Sequence, residues 1–192
     1  MGEQAPDAKR DADSDLARAR ITAQDFVRSE AGFAQLTTLD RAGFPVARSM
    51  TAFLEDDWSV SLIQRRVHAR IAQLQRNDHA LVTWVGTPAP GATNERPHVF
   101  DIGRLPPRAV YLRGRVVFMG ARWTELRYRE QIESQRALGH TGAPVRTPAQ
   151  VEGELVGVRL IPVRIRLEGF GEGAQAFEWA VLSESDIPGA VP

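Results

Sequence analysis

Apolar side chains recur at every second position in several short runs of this chain, and tight turns join the runs. Over 44–54, Val46, Met50, Ala52 and Leu54 alternate with Ala47, Ser49, Thr51 and Phe53. Trp58, Val60 and Leu62 repeat the pattern, and Val163, Ile165 and Leu167 alternate with Arg164, Arg166 and Glu168. A period of two belongs to strands with one covered face, because successive side chains point to opposite sides of a sheet. Asp40-Arg41-Ala42-Gly43 and Glu55-Asp56-Asp57 have turn chemistry, with Gly43 free to take a positive φ. Strands are expected over 33–39, 44–54, 58–63, 80–85, 109–118, 154–167 and 177–181, with a bend at Gly114 and a break at Pro162.

Two stretches change period. Over 64–77, Val67, Ile71 and Leu74 fall on one helix face, and Arg66, Arg70 and Gln73 share the neighbouring face. Over 122–138, Glu125 and Arg129 stand at i, i+4 and Gly139 supplies a stop. A shorter helix over 21–30 has Thr22 as its candidate N-cap. Residues 1–20 are polar and read as a disordered or loosely helical tail; residues 140–150 read as a Pro/Thr-rich linker. Residues 21–192 form one domain whose order is β-β-β-α-β, a long loop at 86–108, then β-α-β-β. Consecutive hairpins make the sheet mostly antiparallel, and many strands with few helices argue for a barrel. The loop is long enough to serve as a lid over a pocket.

Composition narrows the chemistry. Lys+Arg and Asp+Glu both total 24, so no net charge draws the chain to nucleic acid or to a membrane surface. Cysteine is absent, which excludes thiol catalysis and Cys-ligated metals. The histidines, His68, His79, His98 and His140, are scattered without metal-binding spacing. No apolar stretch spans a bilayer and no hydrophobic signal core is present, so a cytoplasmic protein is expected. Gly169-Phe170-Gly171-Glu172-Gly173 leads into a strand and reads as a hairpin turn rather than a dinucleotide loop.

The strongest local signal is the third strand running into an Arg-rich helix, 61–70. Free N–H groups and the positive dipole end at a helix N-terminus attract phosphate. Arg65, Arg66, His68 and Arg70 add cationic donors there, and Arg binds phosphate bidentately. The same residues equally suit a solvated basic helix face. Arg48 stands on the Val46/Met50 face, where an unpaired buried charge would be costly.

A set of motifs in order extends this reading over about residues 30–120. Leu36-Thr37-Thr38-Leu39-Asp40 is followed by Gly43-Phe44-Pro45, then by Val46-Ala47-Arg48-Ser49-Met50. Arg70-Ile71-Ala72-Gln73-Leu74-Gln75-Arg76-Asn77-Asp78 opens with a basic residue; Leu81-Val82-Thr83-Trp84 and Tyr111-Leu112-Arg113-Gly114-Arg115-Val116 follow. Together these resemble the pyridoxamine-phosphate-oxidase-like and flavin/deazaflavin oxidoreductase superfamily. The resemblance implies a mainly β fold: an antiparallel split β-barrel of the FMN-binding type, working as a homodimer.

By position, the resemblance also implies a cofactor site. Arg48, Ser49, Met50 and Thr51 would run beside a flavin ring. Ser61, Leu62, Arg65, His68 and Arg70 would lie at its phosphate, with Arg70 where the family usually has Lys. Trp84, Tyr111 and Arg113 would complete the pocket with the second protomer. FMN is the first expectation, the deazaflavin F420 the second and haem the third. The implied activity is flavin-type redox chemistry on a small organic substrate, with no acid or base singled out. The alternatives are a flavin or haem binder without turnover and a barrel without cofactor. The C-terminal residues that hold substrate in true pyridoxamine-phosphate oxidases have no match before Pro192, so vitamin B6 oxidation is not the expected activity.

Overall fold

The computed structural model describes residues 5–86, 108–142, 145–171 and 176–182, with side chains from residue 11 onward. In chain order the elements are α1 (Ala5–Ser29), β1 (Ala34–Leu39), β2 (Pro45–Met50), β3 (Phe53–Leu54), β4 (Val60–Arg65), α2 (Ala69–Arg76), β5 (His79–Val85), β6 (Ala109–Met119), α3 (Ala121–Ala137), α4 (Pro148–Glu154), β7 (Leu155–Glu168) and β8 (Phe177–Ala180). The strands form one antiparallel sheet in the order β2-β1-β5-β6-β7-β4-β3, with β8 also paired to β7. The sheet curls into a split barrel around Leu36, Leu62, Val82, Leu112, Leu160 and Ile165, all almost fully buried.

The hairpin from β1 to β2 forms because Asp40 caps its own turn. Its Oδ1 accepts from the amides of Ala42 (2.8 Å) and Phe44 (2.9 Å), and Gly43 takes φ 87°. The interruption expected at Pro162 is a bulge inside one continuous strand. Arg113 faces Arg164, but Gly114 faces Pro162, so Val163 is the extra residue. Pro162 has no N–H to give the ladder, and the slip places it where the backbones crowd. A Cβ on Gly114 would stand 2.0 Å from the Ile161 carbonyl oxygen.

The N-terminal segment differs from its expected form. The helix begins at Ala5, not near Ile21, so residues 5–20, read as disordered or loosely helical, continue α1. Leu16, Ala19, Ala23, Phe26 and Val27 lie on its packed face; Ala19 and Ala23 are small enough to let the helix sit close to the core. Thr22 is inside the helix, its hydroxyl donating to the Arg18 carbonyl at 3.0 Å rather than capping.

Further differences have local causes. The run expected over 44–54 divides at Thr51-Ala52, where the chain leaves β1 as its partner and β3 pairs with β4. Trp58 sits in the turn before β4 with φ 67°. Part of the expected linker is α4: Thr147 and Gln150 form a capping box and Pro148 opens the helix. Residues 87–107 of the expected lid lie outside the described residues. The amide of Gly86 donates to the Arg108 carbonyl at 2.7 Å, so the two ends of that segment meet. Among the described residues, no helix is long and apolar enough to cross a membrane.

Gly114→Ala is expected to destabilise the fold by about 3 kcal/mol, since backbone rather than a flexible side chain must give way. Urea unfolding with the wild-type midpoint unchanged would contradict the tight crossing.

Candidate functional site

The site grows from the junction between β4 and α2. Arg65 ends the strand, a short turn follows, and α2 starts after His68, which occupies the N-cap position without a side-chain cap bond. Ile71 and Leu74 bury one helix face on the sheet, and the Thr38 hydroxyl donates to Gln73 Oε1 at 2.8 Å. These contacts fix α2 across β1. Arg48 stands opposite Leu36 in the β1–β2 register, hence on the face that α2 approaches.

Arg48, His68, Ala69, Arg70 and Gln73 therefore line one cleft of about 160 Å³. Arg70 Nη2 lies 2.6 Å from His68 Nδ1. A guanidinium can only donate, so Nδ1 accepts and the neutral imidazole carries its proton on Nε2. Burial, then the charges of Arg70 and Arg65, hold the His68 pKa below its usual value. Burial and the charge of Arg48 push Arg70 down in the same way. Among the described residues, the buried Arg70 Nε has no hydrogen-bond partner. Arg48, among the described residues, bonds only to the carbonyl of its neighbour Ala47, at 3.3 Å.

The contrast with the other arginines shows what is unusual. Arg28, Arg115, Arg127, Arg146, Arg159 and Arg164 each meet a carboxylate. Among the described residues, Arg48, Arg65 and Arg70 meet none, nor do Arg20, Arg41, Arg66, Arg76, Arg113, Arg122 and Arg136; Arg48 and Arg70 stand out because they share one cleft with His68. Like charges gathered at a partly buried cleft repel, and a bound anion converts that repulsion into attraction. Arg66 does not join them: its Nε donates to the Glu152 carbonyl at 3.1 Å, tying the turn to α4.

The remaining residues singled out in the sequence lie elsewhere. Ser49 is on the opposite face of β2, which is also the face of Tyr111 and Arg113 on β6, as the register Ser49–Gln35–Thr83–Tyr111 and the pairing of Leu81 with Arg113 require. Tyr111 donates to Glu168 at 3.4 Å, and burial followed by the Glu168 charge raises its pKa. Met50 is buried, with its sulfur 3.7 Å from the Gln64 amide. Ser61 is buried and donates to Glu55 at 2.5 Å; Leu62 is wholly in the core. Arg48 itself is exposed, not buried as its apolar face suggested, because β2 is an edge strand.

A second, larger pocket of about 440 Å³ opens beyond the end of β2, where Thr51, Ala52 and Phe53 face the end of α1 and Trp84. The sequence placed Thr51 and Trp84 near a cofactor but gave no sign of the α1 wall. Val27 and Arg28 of that wall lie in the helix expected over 21–30; only the fold sets its end against the β2–β3 junction. Gln73 stood on the Arg66/Arg70 helix face in sequence, but only the fold brings it into the cleft.

No family model matches the chain, and no curated protein matches it in sequence. Solved structures do match in fold. A pyridoxamine 5'-phosphate oxidase-related, FMN binding protein from Nostoc punctiforme is 17% identical, with 93% of this chain and 92% of that chain covered and a TM-score of 0.54. The General Stress Protein 26 from Bacillus anthracis is 11% identical, covering 83% and 98%, with a TM-score of 0.54. A heme binding protein from Mycobacterium smegmatis is 16% identical with a TM-score of 0.57; the match covers 85% of this chain but only 58% of that longer one. These likenesses establish the fold, an antiparallel split barrel.

Anion affinity at the cleft is expected to rise as pH falls. A bound anion offsets the repulsion from Arg70 and Arg65 and raises the His68 pKa. The complex thus binds more protons than the free protein between the two values, and affinity grows as pH drops through that window. Sulfate, dianionic throughout, is the suitable probe, with His68 followed by NMR. Equal sulfate affinity at pH 5.5 and pH 8, values chosen to bracket the usual histidine range of about 6.5, would contradict this.

Proposed function

We propose that this chain is a flavin-dependent oxidoreductase that holds FMN through its phosphate in the Arg48–His68–Arg70 cleft. The observation that carries the reading is the gathering of two carboxylate-free guanidiniums and an imidazole around one small cleft. A terminal phosphate monoester carries close to two negative charges and accepts hydrogen bonds from several donors at once. Arg48 and Arg70 would supply the fixed forks, the His68 Nε2 a further donor, and the first amides of α2 the dipole end. FMN, when bound, supplies the redox chemistry, and the protein supplies orientation and electrostatics.

The rest of β2 fits that role. Ser49, Met50 and Thr51 lead from the cleft toward the larger pocket, so they would run beside the ring. Met50 is locked in the core beneath it, which makes this stretch a rigid rail. Ser49, Tyr111 and Arg113 lie on the open outer face of the sheet. We assign that face to contact with a second copy, the arrangement in which the family completes its pocket. The fold likeness to an FMN binding protein supports the choice of FMN; the likeness to a heme binding protein makes haem the second ligand to test.

Absorbance of the purified protein, after loading with FMN and removal of unbound ligand, tests the proposal. A retained flavin band is expected, and Arg70→Ala is expected to weaken FMN binding about 10- to 100-fold, as loss of a charge-assisted contact does. Retention of F420 alone would keep the redox class and change the cofactor. A Soret band with added haem and no flavin retention would replace the proposal with a haem binder.

A further inference from the structure

We propose that the pocket between the end of α1 and the β2–β3 junction is a binding site for an uncharged, planar aromatic molecule of one or two rings. Its volume of about 440 Å³ lies within the range of ~300–1,000 Å³ found for small-molecule sites. The walls explain the ligand class. Phe33 stands at the rim, 73% exposed despite its size, Phe53 forms a half-buried side, and Trp84 closes the floor. Rings arranged in this way offer edges and faces to a flat aromatic guest.

Charge selects against ions. Among the described residues, Arg28 is the one charged residue in the wall, and its Nη2 donates to Asp56 at 2.6 Å, so the pair adds no net charge at the rim. A charged guest would lose water against walls that are mostly apolar and an ion pair with no net charge. One polar contact remains: the Thr51 hydroxyl lines the pocket and makes no hydrogen bond among the described residues. A single carbonyl, hydroxyl or ring nitrogen on the guest would satisfy it.

The pocket also has a spatial relation to the anion cleft. Thr51 is three residues beyond Arg48, a rise of about 10 Å along an extended chain. An aromatic guest here would sit at the far end of the same rail as the phosphate. If the flavin reading holds, the guest is the molecule that exchanges electrons with the cofactor; that role rests on the reading above, whereas binding itself does not.

Gly32 makes the test specific. It lies in the pocket wall, its φ is ordinary, and a Cβ added there would meet nothing within 4 Å. Gly32→Phe should therefore fill the pocket from the inside without disturbing its backbone. The full chain is titrated with 2-naphthol and, separately, with naphthalene-2-sulfonate, following tryptophan emission. Saturable quenching by 2-naphthol is expected, at least tenfold weaker binding of the sulfonate, and loss of saturable 2-naphthol binding in Gly32→Phe. Thr51→Val should weaken 2-naphthol a few-fold. Circular dichroism and sulfate affinity at the Arg48–Arg70 cleft should stay as in the wild type, showing that Gly32→Phe is folded.

Quenching that does not saturate, that survives in Gly32→Phe, or that the sulfonate produces equally well would overturn the proposal. If Gly32→Phe fails to fold, an unchanged 2-naphthol affinity in Thr51→Val, or equal binding of the sulfonate by the wild type, overturns it instead. The two readings fail separately. FMN retention without 2-naphthol binding removes only this pocket, and 2-naphthol binding without FMN retention removes only the flavin reading.

Discussion

Strand β7 holds the fold together because it serves both halves of the sheet. Its first part pairs with β4, its second part with β8, and most of its length with β6. One strand with that many partners cannot remain regular. The bulge at Val163 turns it, Pro162 accepts the position where an amide would be wasted, and Gly114 leaves room for the crossing backbone. The curl that follows brings β1, β5 and β6 around one core and leaves β2 at an open edge. The cleft and the larger pocket both lie along that edge strand.

An edge strand is usually a liability, since its unpaired groups invite association. Here the exposed edge has a use. Ala47, Arg48 and Ser49 are exposed, while Met50 at the end of the same strand is anchored in the core. The strand is thus fixed without being covered, a combination that a central strand lacks. Helix α2 supplies the opposite wall, and the Thr38–Gln73 bond keeps that wall in place.

Electrostatics divide the surface into two kinds of arginine. About half of those with described side chains pair with carboxylates, and pairs such as Arg115 with Asp78 and Arg159 with Asp57 tie elements together. The last acts on Asp57 as well: hydrogen bonds from Ser59 and the charge of Arg159 together outweigh burial and lower its pKa. Arg48 and Arg70 have no such partner and depress rather than relieve the charge beside them. Structural ion pairs account for the first group; the proposed phosphate contact rests on Arg48 and Arg70 sharing a cleft with His68.

Much of this was legible in the residues. Alternation marked the principal strands within a few positions, because a sheet with one covered face imposes a period of two whatever else surrounds it. The Arg-rich start of α2 was legible because that pattern is local: a helix start and its cations lie within a few residues. Other features needed contacts distant in sequence. Leu16 and Ala19 became part of α1 only because a core was present to cover them, and α4 emerged from a Pro/Thr-rich stretch by packing Val151 beneath α3. The family resemblance implied Ser61 and Leu62 as phosphate neighbours, and the sheet and neighbouring elements bury both. The sequence by itself determined the hairpins, the turns and the cationic helix start, all set by neighbours along the chain. Tertiary structure alone decided that Arg48 joins His68 and Arg70, that Arg66 does not, and that α1 walls a pocket with Trp84. Those outcomes depend on register and on which face each element covers, which no local pattern encodes.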